Sequence, residues 1–199
     1  MARIRNDKLH EERRAQILEA AASVFREKGF HAARTEDICT QAKMSAGAVF
    51  RYFKDKREMI DAIVSREISS YANDAKALVS REGLEWLARA SSEELKERWK
   101  ESDNGLGLDA WMELVRDPDR HREILDLDVE TRKELARTLE FGIAEGWVRP
   151  GIDPEGTASL IVTVTNGLWL EQSLKKTADV EQSAKAVRDF LRSLSLIHI

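Results

Sequence analysis

TEDICTQAKMSAGAVFRYFKDK, residues 35–56, is the stretch whose reading decides how this chain is built. It reads as two short helices joined by a tight turn. Thr35 is a good N-cap, and Glu36 and Asp37 follow in the first turn, where negative charge suits the positive end of the helix dipole. Ile38 and Ala42 make the buried side of that helix. After Lys43 and Met44, Ser45 can cap a second helix over Ala46–Phe53, and Asp55 can cap a long one running toward residue 80. Upstream, Ile17, Leu18, Ala21, Val24 and Phe25 form one apolar stripe on a helix from about Glu11 to Lys28. Gly29 suits the left-handed position that ends it, and Phe30 is placed for the accompanying apolar contact. A helix packed against two short ones around a turn is a helix-turn-helix.

Charge assigns that motif a partner. Residues 1–54 hold 11 Lys and Arg against 7 Asp and Glu, whereas residues 55–199 hold 21 against 29. A basic quarter on an acidic remainder points to an anionic partner for the first part only. The second helix of the pair suits the major groove, with neighbouring helix N-termini holding phosphates. Ala46 and Gly47 keep its leading edge thin, Ser45 is a small donor there, and Arg51, Tyr52 and Lys56 are placed for phosphates on either side. Arg3, Arg5, Lys8, Arg13 and Arg14 read equally as an arm that tracks DNA and as a solvated end.

The stretch from Ile17 to Met59 resembles the DNA-binding domain of the TetR family of bacterial transcriptional regulators. The resemblance rests on Ala21, Phe25, Gly29-Phe30, Thr35 and Ile38, and on the run from Ser45 to Lys56. It implies a fold of three DNA-binding helices followed by a helical ligand-binding and dimerisation domain. It also implies roles: Thr35, with Arg34 beside it, anchors a phosphate, and Ser45, Ala46 and Gly47 lie against bases and backbone. Phe50 and Arg51 occupy the recognition face, Tyr52 and Lys56 hold phosphates, and Val49 and Phe53 pack between helices. Two positions depart from the family pattern. Phe50 stands where tyrosine is frequent, exchanging a phenolic hydrogen bond for an apolar contact such as a thymine methyl. Lys43 stands where the turn usually has glycine, a cost of about 1 kcal/mol if φ there is positive. Ser159–Leu174 further resembles the C-terminal domain of the BetI-like branch, a weaker likeness that transfers no ligand.

The rest of the chain agrees with an all-α fold. It has 199 residues with 42% hydrophobic and 34% charged, an ordinary globular balance, and prolines only at 118, 150 and 154. No strand-like alternation between turn pairs occurs. Ser91-x-x-Glu94 is a capping box, Asp117-Pro118 and Asp153-Pro154 punctuate helices, Gly146 ends one, and Asp179-x-x-Gln182 opens the last. The division expected is 1–54 for DNA binding and 55–199 for effector binding and dimerisation. The opening MARIRNDKLHEERR is unlike a secretory signal and no apolar run is membrane-length, so a cytoplasmic protein without membrane contact is expected. The lone Cys39 reads as a small buried hydrophobe. The four histidines have no metal spacing, and no nucleophile–base pair or phosphate loop is present, so no catalytic residue, metal or cofactor is expected.

An effector pocket should be concave and aromatic-lined. Trp86, Trp99, Trp111, Met112, Phe141 and Trp169 are the candidates, Trp111 foremost because the resemblance places the pocket on a middle helix. Asp126, Asp128 and Glu130 read as solvated, and Trp147 as closing a helix end. Apolar stripes of Leu160, Ile161, Val164 and Leu168, then Ala184, Val187, Leu191 and Leu194, suit a helix pair that either buries against its own domain or forms the family's two-fold bundle. The expectation is a homodimeric repressor of operator DNA released by a small molecule. A ligand-responsive activator and a DNA-binding protein with no effector are the alternatives.

Overall fold

A computed structural model describes residues 2–102, 108–174 and 180–194. Ten helices and no strand occur among them: α1 Ala2–Ala32, α2 Thr35–Ala42, α3 Ala46–Val49, α4 Lys56–Leu78, α5 Arg81–Leu87, α6 Ser92–Ser102, α7 Leu108–Arg116, α8 Pro118–Glu145, α9 Pro154–Ser173 and α10 Val180–Ser193. None is long and apolar enough to cross a membrane among the described residues. Contacts divide the chain into two compact units, Met1–Ile68 with Asp103–Arg116, and Ser69–Ser102 with Asp117–Ile199.

In the first unit, Ile17, Leu18, Ala21 and Phe25 of α1 bury against Ile38 and Ala42 of α2, Val49 and Phe53 around α3, and Met59 and Ile63 of α4. Helix α1 is longer than the sequence suggests. It begins at Ala2, so the basic N-terminal segment is helical and not an extended arm. Gly29 breaks it at φ 74° and ψ 160°, a positive φ but an extended ψ in place of the expected left-handed turn. Phe30 is buried beside Phe25, ring centroids 4.8 Å apart.

Local capping explains the helix-turn-helix. Helix α2 starts with Thr35 as its first residue and Arg34, not Thr35, as its cap; the Arg34 N–H donates to the Asp37 carboxylate at 3.0 Å. Lys28 lies 2.8 Å from the same carboxylate, and its hydrogen bond, followed by that of Arg34, holds Asp37 below the ordinary range. At the other end Lys43 N–H donates to Thr40 and Met44 N–H to Cys39, the paired closure that needs a left-handed residue. Lys43 supplies it at φ 54° and ψ 41°, the only non-glycine residue at positive φ among the described residues. Since a side chain there is strained, Lys43→Gly is expected to stabilise this unit by about 1 kcal/mol. Thermal denaturation checks it, and an unchanged or lowered midpoint would show that the turn carries no strain. Ser45 caps α3, accepting from the Ala48 N–H at 3.3 Å. Helix α3 is shorter than expected, ending at Val49 before turns continue to Phe53.

The second unit has its own core, with Leu84, Leu87 and Leu95 meeting Leu135 and Leu139 of α8, Val148, Ile161 of α9 and Leu191 of α10. Ser91 and Glu94 form the reciprocal box that opens α6, with Glu94 N–H donating to the Ser91 hydroxyl at 3.2 Å and Ser91 N–H to the Glu94 carboxylate at 2.7 Å. Asp117 caps α8, and Gly146, at φ 80°, closes it with Gly146 N–H bonded to Ile143 and Trp147 N–H to Gly142. Trp147 is buried there, so its ring does close the helix end. Asp179 lies outside the described residues.

Of the eight residues expected on a surface between copies, Ile161, Leu168, Ala184, Leu191 and Leu194 are buried in their own unit's core. Val164 and Val187 are partly buried against it, and Leu160 is exposed. Steps of three and four identify an apolar face but not whether the same chain or another covers it.

Candidate nucleic-acid interface and ligand cleft

The described residues bring one set of site candidates together. Ser45, Ala46 and Gly47 at the start of α3 are exposed, as are Phe50 and Arg51 just past its end. Phe50 is 48% exposed, a large apolar side chain with no place in the core. A Cβ built on Gly47 would meet nothing within 4 Å, so nothing inside the protein requires a glycine there. A bare aromatic one helical turn from an unneeded glycine marks a surface shaped for something outside the chain. Arg34 is exposed and Thr35 half-buried at the start of α2.

Tyr52 and Lys56 have partners that the sequence did not signal. The Tyr52 ring is half-buried and lies 4.8 Å from that of His10 on α1. Arg14 of α1 sits over the Phe53 ring at 5.0 Å, and Gln16 donates to the Ala42 carbonyl at 2.9 Å. His10, Arg14 and Gln16, within two turns of α1, thus brace the end of α2 and the turns that follow α3. The Lys56 ammonium donates to the carbonyls of Phe30 and Ala33 at 2.7 and 2.9 Å, closing the broken end of α1. Two of its three protons are thereby used, leaving one for a phosphate.

The effector candidates do not converge on one cavity. Trp111, half-buried, and Met112, half-exposed, lie on α7 in the first unit. Trp86 and Trp169 are packed against the core of the second, with Arg98 over the Trp86 ring at 5.0 Å. The Trp99 side chain lies outside the described residues. Phe141 is 62% exposed and, alone of the five candidates whose side chains are described, lines a cleft of about 810 Å³ in the second unit. That cleft runs from Val79–Arg89 to Arg137–Trp147 and carries Arg81, Arg89 and Arg137 with Glu85 and Glu145.

Sequence reading also missed a polar cluster. Asp128, expected in solvent, receives two hydrogen bonds from Arg132, at 2.7 and 3.2 Å, and one from Tyr71 at 3.4 Å. Arg132 reaches on to the Ser159 carbonyl and hydroxyl at 2.9 and 2.8 Å, so α4, α8 and α9 meet through it. Burial raises the Tyr71 phenol above its ordinary range. The i, i+4 spacing of Asp128 and Arg132 was the available signal.

Comparison with known proteins gives a family match for each of two stretches of the chain. Residues 17–63 match the family described as bacterial regulatory proteins, tetR family, and residues 81–196 match the BetI-type transcriptional repressor, C-terminal. Over 146 residues, 71% of this chain and 72% of the relative, the chain is 29% identical to the HTH-type transcriptional repressor KstR2 of Mycobacterium tuberculosis. A transcriptional regulator from Saccharomonospora viridis, solved in complex with choline, has a similar fold, with TM-score 0.62, 20% identity, and 92% of this chain and 96% of that one covered. The regulator FadR from Bacillus subtilis, in complex with stearoyl-CoA, is similar too, with TM-score 0.58, 21% identity, and coverage of 92% and 98%.

Proposed function

The chain belongs to the TetR family of bacterial regulatory proteins and carries a BetI-type C-terminal domain, and from that premise we propose that it is a homodimeric repressor whose α3 surface reads an operator half-site and which a small molecule releases. It is a DNA-binding transcriptional regulator, not an enzyme. The observation that carries the reading of the site is the exposed face from Ser45 to Arg51, with an open glycine and a bare phenylalanine that the fold does not use. Ser45, Ala46, Gly47 and Phe50 approach bases, while Arg34, Thr35, Arg51, Tyr52 and the remaining proton of Lys56 hold the backbone.

Reading two half-sites takes two copies. Helix α9 supports that, because Leu160, Thr163, Gly167, Leu170 and Leu174 are all exposed and step by three and four. This stripe lies beside the buried one and is the surface we place on the two-fold axis, with small residues that allow close approach. Release then follows from population shift. An effector that binds better to a state with different spacing of the two α3 helices weakens operator binding by its difference in affinity for the two states. Helix α4, whose residues 56–68 belong to the first unit and 69–78 to the second, is the natural lever. Relatives of this fold hold choline or stearoyl-CoA, so the effector is a small organic molecule whose class the fold alone does not choose.

The test is binding to DNA upstream of the gene and to a scrambled duplex, titrated across salt. Selective binding with a steep salt slope supports the reading, and weak equal binding to both overturns it. Tyr52→Phe is expected to weaken both duplexes alike, by about fivefold for one lost hydrogen bond. Phe50→Ala is expected to change which half-site bases are preferred. A Tyr52→Phe protein altered only in preference would refute that division of roles.

A further inference from the structure

We propose that the cleft between α5 and the last turns of α8 binds a small amphipathic carboxylate. Its volume, about 810 Å³, is in the range of small-ligand sites. Three guanidinium groups and two carboxylates line it, an excess of one positive charge. Arg81 and Glu85 neutralise each other, 2.7 Å apart, and the Arg81 guanidinium also lies over the Trp147 ring at 5.2 Å. The Arg89 guanidinium makes no hydrogen bond or ion pair among the described residues. Arg137 is only loosely paired, 3.8 Å from Glu130. Arginine forks of this kind match a carboxylate in shape and charge.

Phe141 supplies the other half of the ligand's description. Its ring is 62% exposed on the cleft wall, apolar surface that folding leaves in water. A ligand that covers Phe141 while placing a carboxylate on Arg89 recovers both unused interactions. With Arg81 held by Glu85 and Arg137 facing Glu130, Arg89 is the guanidinium left to meet a monoanion. The walls are held from within: Thr138 donates to the Val79 carbonyl at 2.7 Å, tying α8 to the connection before α5. The inference deepens the effector reading above. Binding stands on the cleft, and only the step from binding to operator release rests on that reading.

Calorimetric titration of the full chain without DNA, with 4-phenylbutyrate and with neutral 4-phenylbutyramide, tests the site. The carboxylate is expected to bind about tenfold tighter than the amide, and Arg89→Gln to erase that preference. Phe141→Ala is expected to weaken both ligands severalfold. Both side chains are exposed, so circular dichroism and the thermal midpoint stay unchanged in either variant. Equal affinity for acid and amide, no heat from either at millimolar ligand, or an undiminished preference in Arg89→Gln would each overturn the proposal. Adding the carboxylate to protein held on its operator is expected to release it. Binding without release would overturn the link between this cleft and regulation, and a chain that holds no operator at all would count against the regulatory reading alone.

Discussion

Gly83→Ala is expected to cost about 3 kcal/mol, among the largest effects for adding one methyl group. The reason is the corner between α4 and α5. Ser80 donates its hydroxyl to the Ala77 carbonyl at 3.1 Å and accepts the Gly83 N–H at 3.0 Å, folding the first turn of α5 back onto the end of α4. A Cβ on Gly83 would lie 1.9 Å from the Ala77 oxygen and 2.9 Å from its carbon. Both are backbone atoms, so no rotamer relieves the overlap and the corner itself must open. For a chain of this size the thermal midpoint should fall by about 10 °C. Gly47→Ala is the internal control: its Cβ meets nothing, so stability should hold while operator affinity falls as the methyl group meets DNA. A Gly83→Ala midpoint equal to that of the parent would refute the corner geometry.

Lys56→Ala is expected to cost about 2 kcal/mol of stability in addition to any operator affinity it removes. Charge-assisted hydrogen bonds from its ammonium to the Phe30 and Ala33 carbonyls close the end of α1 where Gly29 has broken it. Removing the amine leaves two carbonyls without that donor and frees the connection that leads into α2. The family resemblance implies only a phosphate contact here, and the two roles separate experimentally. Denaturation without DNA reads the closure of α1, whereas the salt dependence of operator binding reads the phosphate. A Lys56→Ala protein with unchanged stability and a shallower salt slope would make Lys56 a DNA contact alone.

Much of this was legible in the residues because the deciding interactions span five positions or fewer. The Ser45 cap, the Ser91–Glu94 box and the Gly146 closure each involve neighbours in sequence, and each occurs, whereas Asp117, read only as a helix stop, also caps α8, and Asp153, read as a cap, opens α9 without a side-chain cap bond. At Lys43 the family resemblance raised the question of a positive φ without deciding it, and the structure gives φ 54°. Long-range partners were not legible. Nothing within four residues of Lys56 indicates that its acceptors lie 26 and 23 residues earlier. Asp128 looked solvated because its neighbours in sequence are charged, yet Arg132 carries it to Ser159 on another helix. The aromatic candidates for an effector pocket failed to converge for a related reason, since tryptophans serve cores as readily as clefts.

The sequence by itself determined that the chain is helical, where several of its helices start or stop, and that its basic quarter is a helix-turn-helix. Capping chemistry, periodicity and charge are written along the chain, and each acts over a turn or two. Only the tertiary structure decided which apolar stripe of α9 is spent on the chain's own core and which stays exposed. It also decided that Lys56 closes a helix before it can meet DNA, and that Arg81, Arg89, Arg137 and Phe141 share one cleft. Those outcomes depend on which helices meet, and a side chain's partner across that meeting leaves no mark within its own few turns of sequence.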